Sequence, residues 1–237
     1  MSDRNGQRRR IALFDIDGTL LWSDGAGRRA IQTALRAVFG GVGPEQHRFD
    51  GKTDKQIVRE LMRHEGHDDA LIDERMDALL DHYVAELRRE LRDPAHPPRR
   101  FPGVLELLDA LEAREDVVLG LLTGNLAEGA AAKLRAVGID PERFVVAAYG
   151  SDHEHRPELP PIALQRAGEL LGATVAGEDI VVIGDTPADM TCGRGIGARA
   201  IGVATGRYRA AELLEHGAHA AFDDLTDTAS VIDAITG

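Results

Sequence analysis

The chain has a single cysteine, few aromatic residues and no apolar run long enough to cross a bilayer. Each shortage removes a class of protein. With Cys192 alone, an internal disulfide framework and a cysteine-based metal site are excluded, and a reducing, cytoplasmic setting is the expectation. The basic start, Arg4 through Arg10, has the charge of a signal-peptide head, but Asp15 and Asp17 interrupt the apolar stretch behind it. Residues 1–9 therefore read as a solvated tail. Positive charge is also in deficit. A formal net charge of -12 argues against a nucleic-acid partner and against an anionic membrane surface, while leaving room for a phosphate in a locally positive pocket. The helical stretches carry no sustained heptad seam, so oligomeric state stays open.

What is present is an ordered series of buried strands that end in polar signatures. Ile11-Ala12-Leu13-Phe14 is a short apolar run of the parallel-sheet kind, and it stops in Asp15-x-Asp17-Gly18-Thr19. Val117 to Leu122 is a second such run and leads into Thr123-Gly124-Asn125. Ile180 to Ile183 is a third, followed by Gly184-Asp185-Thr186-Pro187-Ala188-Asp189. Weaker strands are expected at Phe144–Ala148, Ala200–Val203 and Ala220–Phe222, with helices between them. Strands alternating with helices imply an α/β fold, a doubly wound parallel sheet covered on both faces.

Between the first and second runs the pattern changes. Residues 22–100 show three helical periods and no strand pattern, and Pro94, Pro97, Pro98 and Pro102 mark the exit. Thr53 or Asp54 is expected to cap the second of these helices.

In a doubly wound sheet the carboxyl ends of the strands share one edge, where ligands bind. Asp-Gly pairs in isolation are more often turn residues than catalysts. Three signatures in series weigh against that, because Asp15, Asp17, Asp185 and Asp189 would then crowd into one pocket and repel one another without a cation. Oxygen-only ligands suit Mg2+, which accepts one or two carboxylates, waters and a phosphate oxygen. Two other groupings are discounted. Asp152-His153-Glu154-His155 reads as a solvated loop, and Gly193-x-Gly195-x-Gly197 follows a helix rather than the strand a dinucleotide loop needs.

The ordered set of signatures resembles the haloacid dehalogenase superfamily, specifically its phosphatase branch, with phosphoglycolate-phosphatase-like relatives. The resemblance implies a Rossmann-like core at residues 1–21 and 101–237, with an all-helical cap inserted at 22–100. It implies that Asp15 is the nucleophile, forming an aspartyl phosphate, and that Asp17 protonates the leaving oxygen and lends its backbone carbonyl to the metal. Thr123 and Gly124 would hold the phosphoryl group, with Asp185 on Mg2+ and Asp189 supporting it. Relatives usually carry a Lys before the last signature. Here no lysine follows Lys133, and Arg156 takes that place, keeping the charge with a different donor geometry. Asn125 is either a substrate contact or a helix cap, and Lys52 and Arg28 are expected to contribute substrate specificity from the cap. The implied activity is Mg2+-dependent hydrolysis of a small phosphorylated metabolite. A sugar-phosphate mutase, a phosphonate hydrolase and a catalytically silent phospho-ligand binder are the alternatives.

Overall fold

The computed structural model describes residues 9–237, so most of the expected N-terminal tail lies outside the described residues. The chain runs β1 (Arg10–Phe14), β2 (Leu21–Trp22), α1 (Ala26–Phe39), α2 (Asp54–His64), α3 (Asp69–Glu90), β3 (Arg99–Arg100) and α4 (Val104–Glu112). It continues with β4 (Val117–Thr123), α5 (Ala127–Ala136), β5 (Val146–Tyr149), α6 (Leu159–Leu171), β6 (Ile180–Gly184) and α7 (Pro187–Cys192). The last elements are β7 (Arg199–Val203), α8 (Ala210–Glu215), β8 (Ala220–Phe222) and α9 (Thr228–Thr236). Six strands form one parallel sheet in the order β5-β4-β1-β6-β7-β8.

Strand side chains alternate between faces, and the core divides accordingly. Ala12 and Phe14 of β1 join Val181 and Ile183 of β6 on one face, against Leu107, Leu108 and Leu111 of α4 and Val231 and Ile235 of α9. Ile11 and Leu13 point to the other face, where Leu159, Ala163 and Ala167 of α6 cover them. Both faces of β1 are thus sealed. This is why its sequence after Arg10 reads as a continuous apolar run and why the next polar side chain emerges only at the sheet edge.

Helices α1, α2 and α3 pack about an apolar cluster of their own that includes Ile31, Leu35, Ile57, Leu61, Leu79 and Tyr83. Leu126, at the start of α5, belongs to this cluster as well and links it to the sheet layer. The helical stretch is not free of strands, contrary to what its pattern led us to expect. The stretch read as strand-free begins and ends in a two-residue antiparallel ladder, with Leu21 opposite Arg100 and Trp22 opposite Arg99. Two residues are too few to carry a period, so the pairing left no trace in the pattern. The cap of α2 falls to Thr53, whose hydroxyl accepts from the Gln56 amide, and this frees the Asp54 side chain for another part.

Candidate active site

β1 lies between β4 and β6, so its carboxyl end is flanked by theirs. The Asp15 amide donates to the Ile183 carbonyl at 2.8 Å, which anchors the chain where it leaves the sheet. A cavity of about 570 Å³ opens over this edge, a size suited to a small organic ligand. Asp15, Asp17, Thr123, Gly124, Arg156 and Asp185 line it from the sheet, and Arg28 and Lys52 from the helical layer.

Asp15, Asp185 and Asp189 are buried, and each offers an oxygen within 4.8 Å of the others. Asp185 sits in a cradle made by two glycines, since a Cβ on Gly18 would come within 2.3 Å of its carboxylate and one on Gly206 within 1.8 Å. Gly18 also has a φ of +85°, which other residues rarely adopt. Thr19 Oγ1 donates to Asp185 Oδ1 at 3.3 Å. Asp189 is held by the first turn of α7, where its Oδ2 accepts from the Thr186 amide at 3.0 Å and from the Thr186 hydroxyl at 2.6 Å.

Arg156 reaches this group from a single turn ahead of α6 and is itself buried. Its guanidinium meets Asp189 Oδ1 and lies 3.4 Å from Asp15 Oδ1. Burial works against its charge, but Asp189 and Asp15 outweigh that and keep it protonated. One guanidinium does not balance three carboxylates. Burial, opposed by Arg156 and reinforced by Asp189 and Asp17, pushes Asp15 up to about 6. Burial, Asp189 and Asp15 push Asp185 well above the usual carboxylate range. An excess of buried negative charge on oxygen donors is what a hard divalent cation relieves, so the residues present fit such an ion. Among the described residues this is the one grouping of three or more acids, histidines or cysteines with metal-binding spacing.

Asp17 departs from the expected convergence of four acids, because its carboxylate turns away from the other three. Its Oδ2 accepts from Lys133 Nζ at 2.5 Å and from Asn125 Nδ2 at 2.8 Å, and its Oδ1 from the Ser23 hydroxyl at 3.3 Å. Burial alone would raise its pKa, yet the Lys133 charge and the hydrogen bonds from Lys133, Asn125 and Ser23 bring it below the ordinary value. Asn125 is not a helix cap either, since Leu126 holds the cap position of α5 and the Asn125 Oδ1 accepts from Lys133 Nζ at 2.6 Å, while its Nδ2 also donates to Thr123 Oγ1 at 2.8 Å. Thr123 is fully buried, and Gly124 is pressed against the helical layer, where a Cβ would lie 2.0 Å from the Lys52 carbonyl oxygen.

The two cationic residues expected from the helical layer line the cavity but are already engaged. Lys52 pairs with Glu60 and lies 3.3 Å from His47 Nε2. Arg28 stacks over Phe49 at 3.8 Å and donates to the His47 carbonyl at 2.8 Å. The 152–155 loop is tied into ion pairs, Asp152 with Arg166 and Glu154 with Arg59.

Two residues escaped the sequence reading. Lys133 lies on the buried stripe of α5 with Gly129, Ala130 and Leu134. A lysine at the core spacing of a helix was the available signal. Asp54 had none beyond its candidacy as a cap of α2, because an acid at a helix start reads as ordinary capping. Its Oδ2 accepts from the Leu126 amide at 2.8 Å, so an acid from α2 serves the start of α5, and its Oδ1 accepts from Tyr83 Oη at 3.3 Å.

Burial raises Asp54 from 3.8 to about 6, with Lys133 and the Leu126 amide pulling against it and Asp17 adding to it. The native state therefore holds this proton more tightly than the unfolded chain. Its contribution to stability is fully present below pH 3.8 and is lost as pH rises through about 6. A shift of this size corresponds to roughly 3 kcal/mol. Asp54→Asn keeps an acceptor for Leu126 and carries no such slope, so it is expected to gain stability relative to wild type between pH 4.5 and pH 7.5. Denaturant unfolding at both pH values measures this, and an unchanged difference between the two proteins would contradict it.

Residues 12–194 match the family model described as haloacid dehalogenase-like hydrolase. Glycerol-1-phosphate phosphohydrolase 2 of Saccharomyces cerevisiae is 26% identical over 200 residues, spanning 82% of this chain and 74% of that protein. A solved hydrolase from Pseudomonas syringae superposes with a TM-score of 0.73 at 24% identity, covering 97% of this chain and 100% of its own. A predicted phosphoglycolate phosphatase from Haemophilus somnus 129PT gives 0.68 at 20% identity, covering 96% and 99%.

Proposed function

The chain belongs to the haloacid dehalogenase-like hydrolase family, and from that footing we propose that it is a magnesium-dependent phosphatase for a small organic phosphate monoester, working through an aspartyl phosphate on Asp15. The observation that carries this reading is the buried Asp15–Asp185–Asp189 group with Arg156 set into it, at the floor of a ligand-sized cavity. The names of the yeast and Haemophilus relatives, which refer to small phosphorylated compounds, support the substrate class. A cytoplasmic setting is part of the proposal, in keeping with a lone buried thiol.

Asp15 attacks phosphorus with one carboxylate oxygen as the bond to the leaving oxygen breaks, and Asp17, ionised against Lys133 at rest and protonated once the negative charge of the substrate phosphate lies beside it, gives that oxygen its proton. Water then attacks the phosphorus of the aspartyl phosphate, Asp17 takes the proton of that water, and inorganic phosphate leaves with Asp15 regenerated. The Thr123 hydroxyl and the Gly124 amide orient the transferring group, and Arg156 offsets its charge while holding Asp15 and Asp189 in place. Mg2+ would be held by Asp15, Asp185 and the Asp17 carbonyl with Asp189 in support, and when bound it supplies charge stabilisation for the phosphoryl oxygens. Helices α1 to α3 act as a cap that excludes bulk water, with Arg28 and Lys52 on the substrate side.

A panel of phosphorylated metabolites, run beside an aryl phosphate with and without Mg2+, tests the proposal. Phosphate release that requires Mg2+ is expected. Ligand binding without release from any ester would instead favour a silent binding module.

A further inference from the structure

A lysine buried in a helix stripe needs a reason, because an apolar side chain between Ala130 and Leu134 would pack there without losing hydration, and a buried ion pair is weak grounds for stability. Lys133 is 4% exposed. Its ammonium lies 2.5 Å from Asp17 Oδ2 and 2.6 Å from Asn125 Oδ1, so both partners come from the sheet edge. On the other side it lines the cavity, facing the helical layer. A Cβ on Gly27 of α1 would lie 3.5 Å from Lys133 Nζ and 3.8 Å from the hydroxyl of Tyr83 in α3. That hydroxyl is in turn bonded to Asp54 at the start of α2. Gly27, Tyr83 and Asp54, one from each helix of the layer, line the same cavity as this ammonium. Its charge is directed at Asp17, whereas the acid group of Asp15, Asp185 and Asp189 has Arg156.

We propose that Lys133 is a positioning residue for departure of the leaving group: with Asn125 it fixes the Asp17 carboxylate in its working orientation, and the docked helical layer holds Lys133 in place to do so. The inference rests on the phosphatase reading above. It predicts a dependence on the leaving group that a merely structural lysine would not produce. An alkyl phosphate expels a basic alkoxide and needs the Asp17 proton, while 2,4-dinitrophenyl phosphate expels a stable phenolate and does not. The comparison uses kcat/KM, which covers steps up to leaving-group departure, so the hydrolysis of the aspartyl phosphate common to both esters does not enter.

Lys133→Met is expected to lower kcat/KM by roughly 10²- to 10³-fold on the best alkyl phosphate of the panel, within the range of general acid catalysis, and by less than about tenfold on the dinitrophenyl ester. Lys133→Arg, which restores the charge, is expected to recover part of the alkyl phosphate activity. If the methionine variant fails to fold, Lys133→Gln serves the same comparison. Equal losses on both esters, or an alkyl phosphate kcat/KM unchanged from wild type, would overturn the inference while leaving the phosphatase reading intact. Wild-type protein inert towards both esters would overturn the two together.

Discussion

The Asp15→Asn protein is expected to fold as the parent does and to lose phosphate release by roughly 10⁴-fold or more, the scale on which removing a covalent nucleophile acts. Asparagine matches aspartate in volume and in backbone behaviour at the end of β1, so the hydrogen bond from its amide to the Ile183 carbonyl is kept. The amide cannot form the acyl phosphate. Removing one of three crowded carboxylates also relieves repulsion, since Asp15 is already pushed up to about 6 by burial, despite Arg156, and by its acidic neighbours. The melting temperature at neutral pH is therefore expected to hold or rise while turnover disappears. That combination separates lost chemistry from lost structure. Phosphate release and a thermal melt on one preparation measure it, and hydrolysis retained in the variant would remove Asp15 from its assigned part.

Stripping divalent cations is the second large effect. Chelation is expected to abolish turnover reversibly, and added Mg2+ to restore it. The physical cause is the charge balance of the acid group, three buried carboxylates against one guanidinium. A cation that binds the native state alone also stabilises it, by about 2.7 kcal/mol at a hundred times its Kd. Magnesium should therefore raise the unfolding temperature of the chelated protein in the same titration that restores activity. Full activity in excess chelator would reject the metal requirement. A return of stability without activity would separate metal binding from catalysis.

The sheet edge was legible because its information is local. A strand buried on both faces must be apolar throughout, so the first polar side chain after such a run lies at the end of the strand. Asp15, Thr123 and Asp185 each occupy that place. Arg156 could be placed by its order along the chain, in the single turn ahead of α6, where it meets Asp189. The Lys133–Asp17 pair could not. Those residues are 116 positions apart, and nothing near either one marks the other as its partner. Asp54 and the Leu126 amide, 72 positions apart, are a similar case.

From the residues alone came the parallel α/β plan, the helical insertion and the identity of the acids at the sheet edge, because side-chain period and strand-end polarity are set within a few neighbours. Tertiary structure decided which of those acids share a site. It turned Asp17 towards a lysine, gathered three carboxylates around one guanidinium, and used an acid from the helical layer to serve a helix of the sheet layer. The reason is that burial removes water as a partner, so each buried charge must find its complement across the fold, wherever the chain path has brought one within reach.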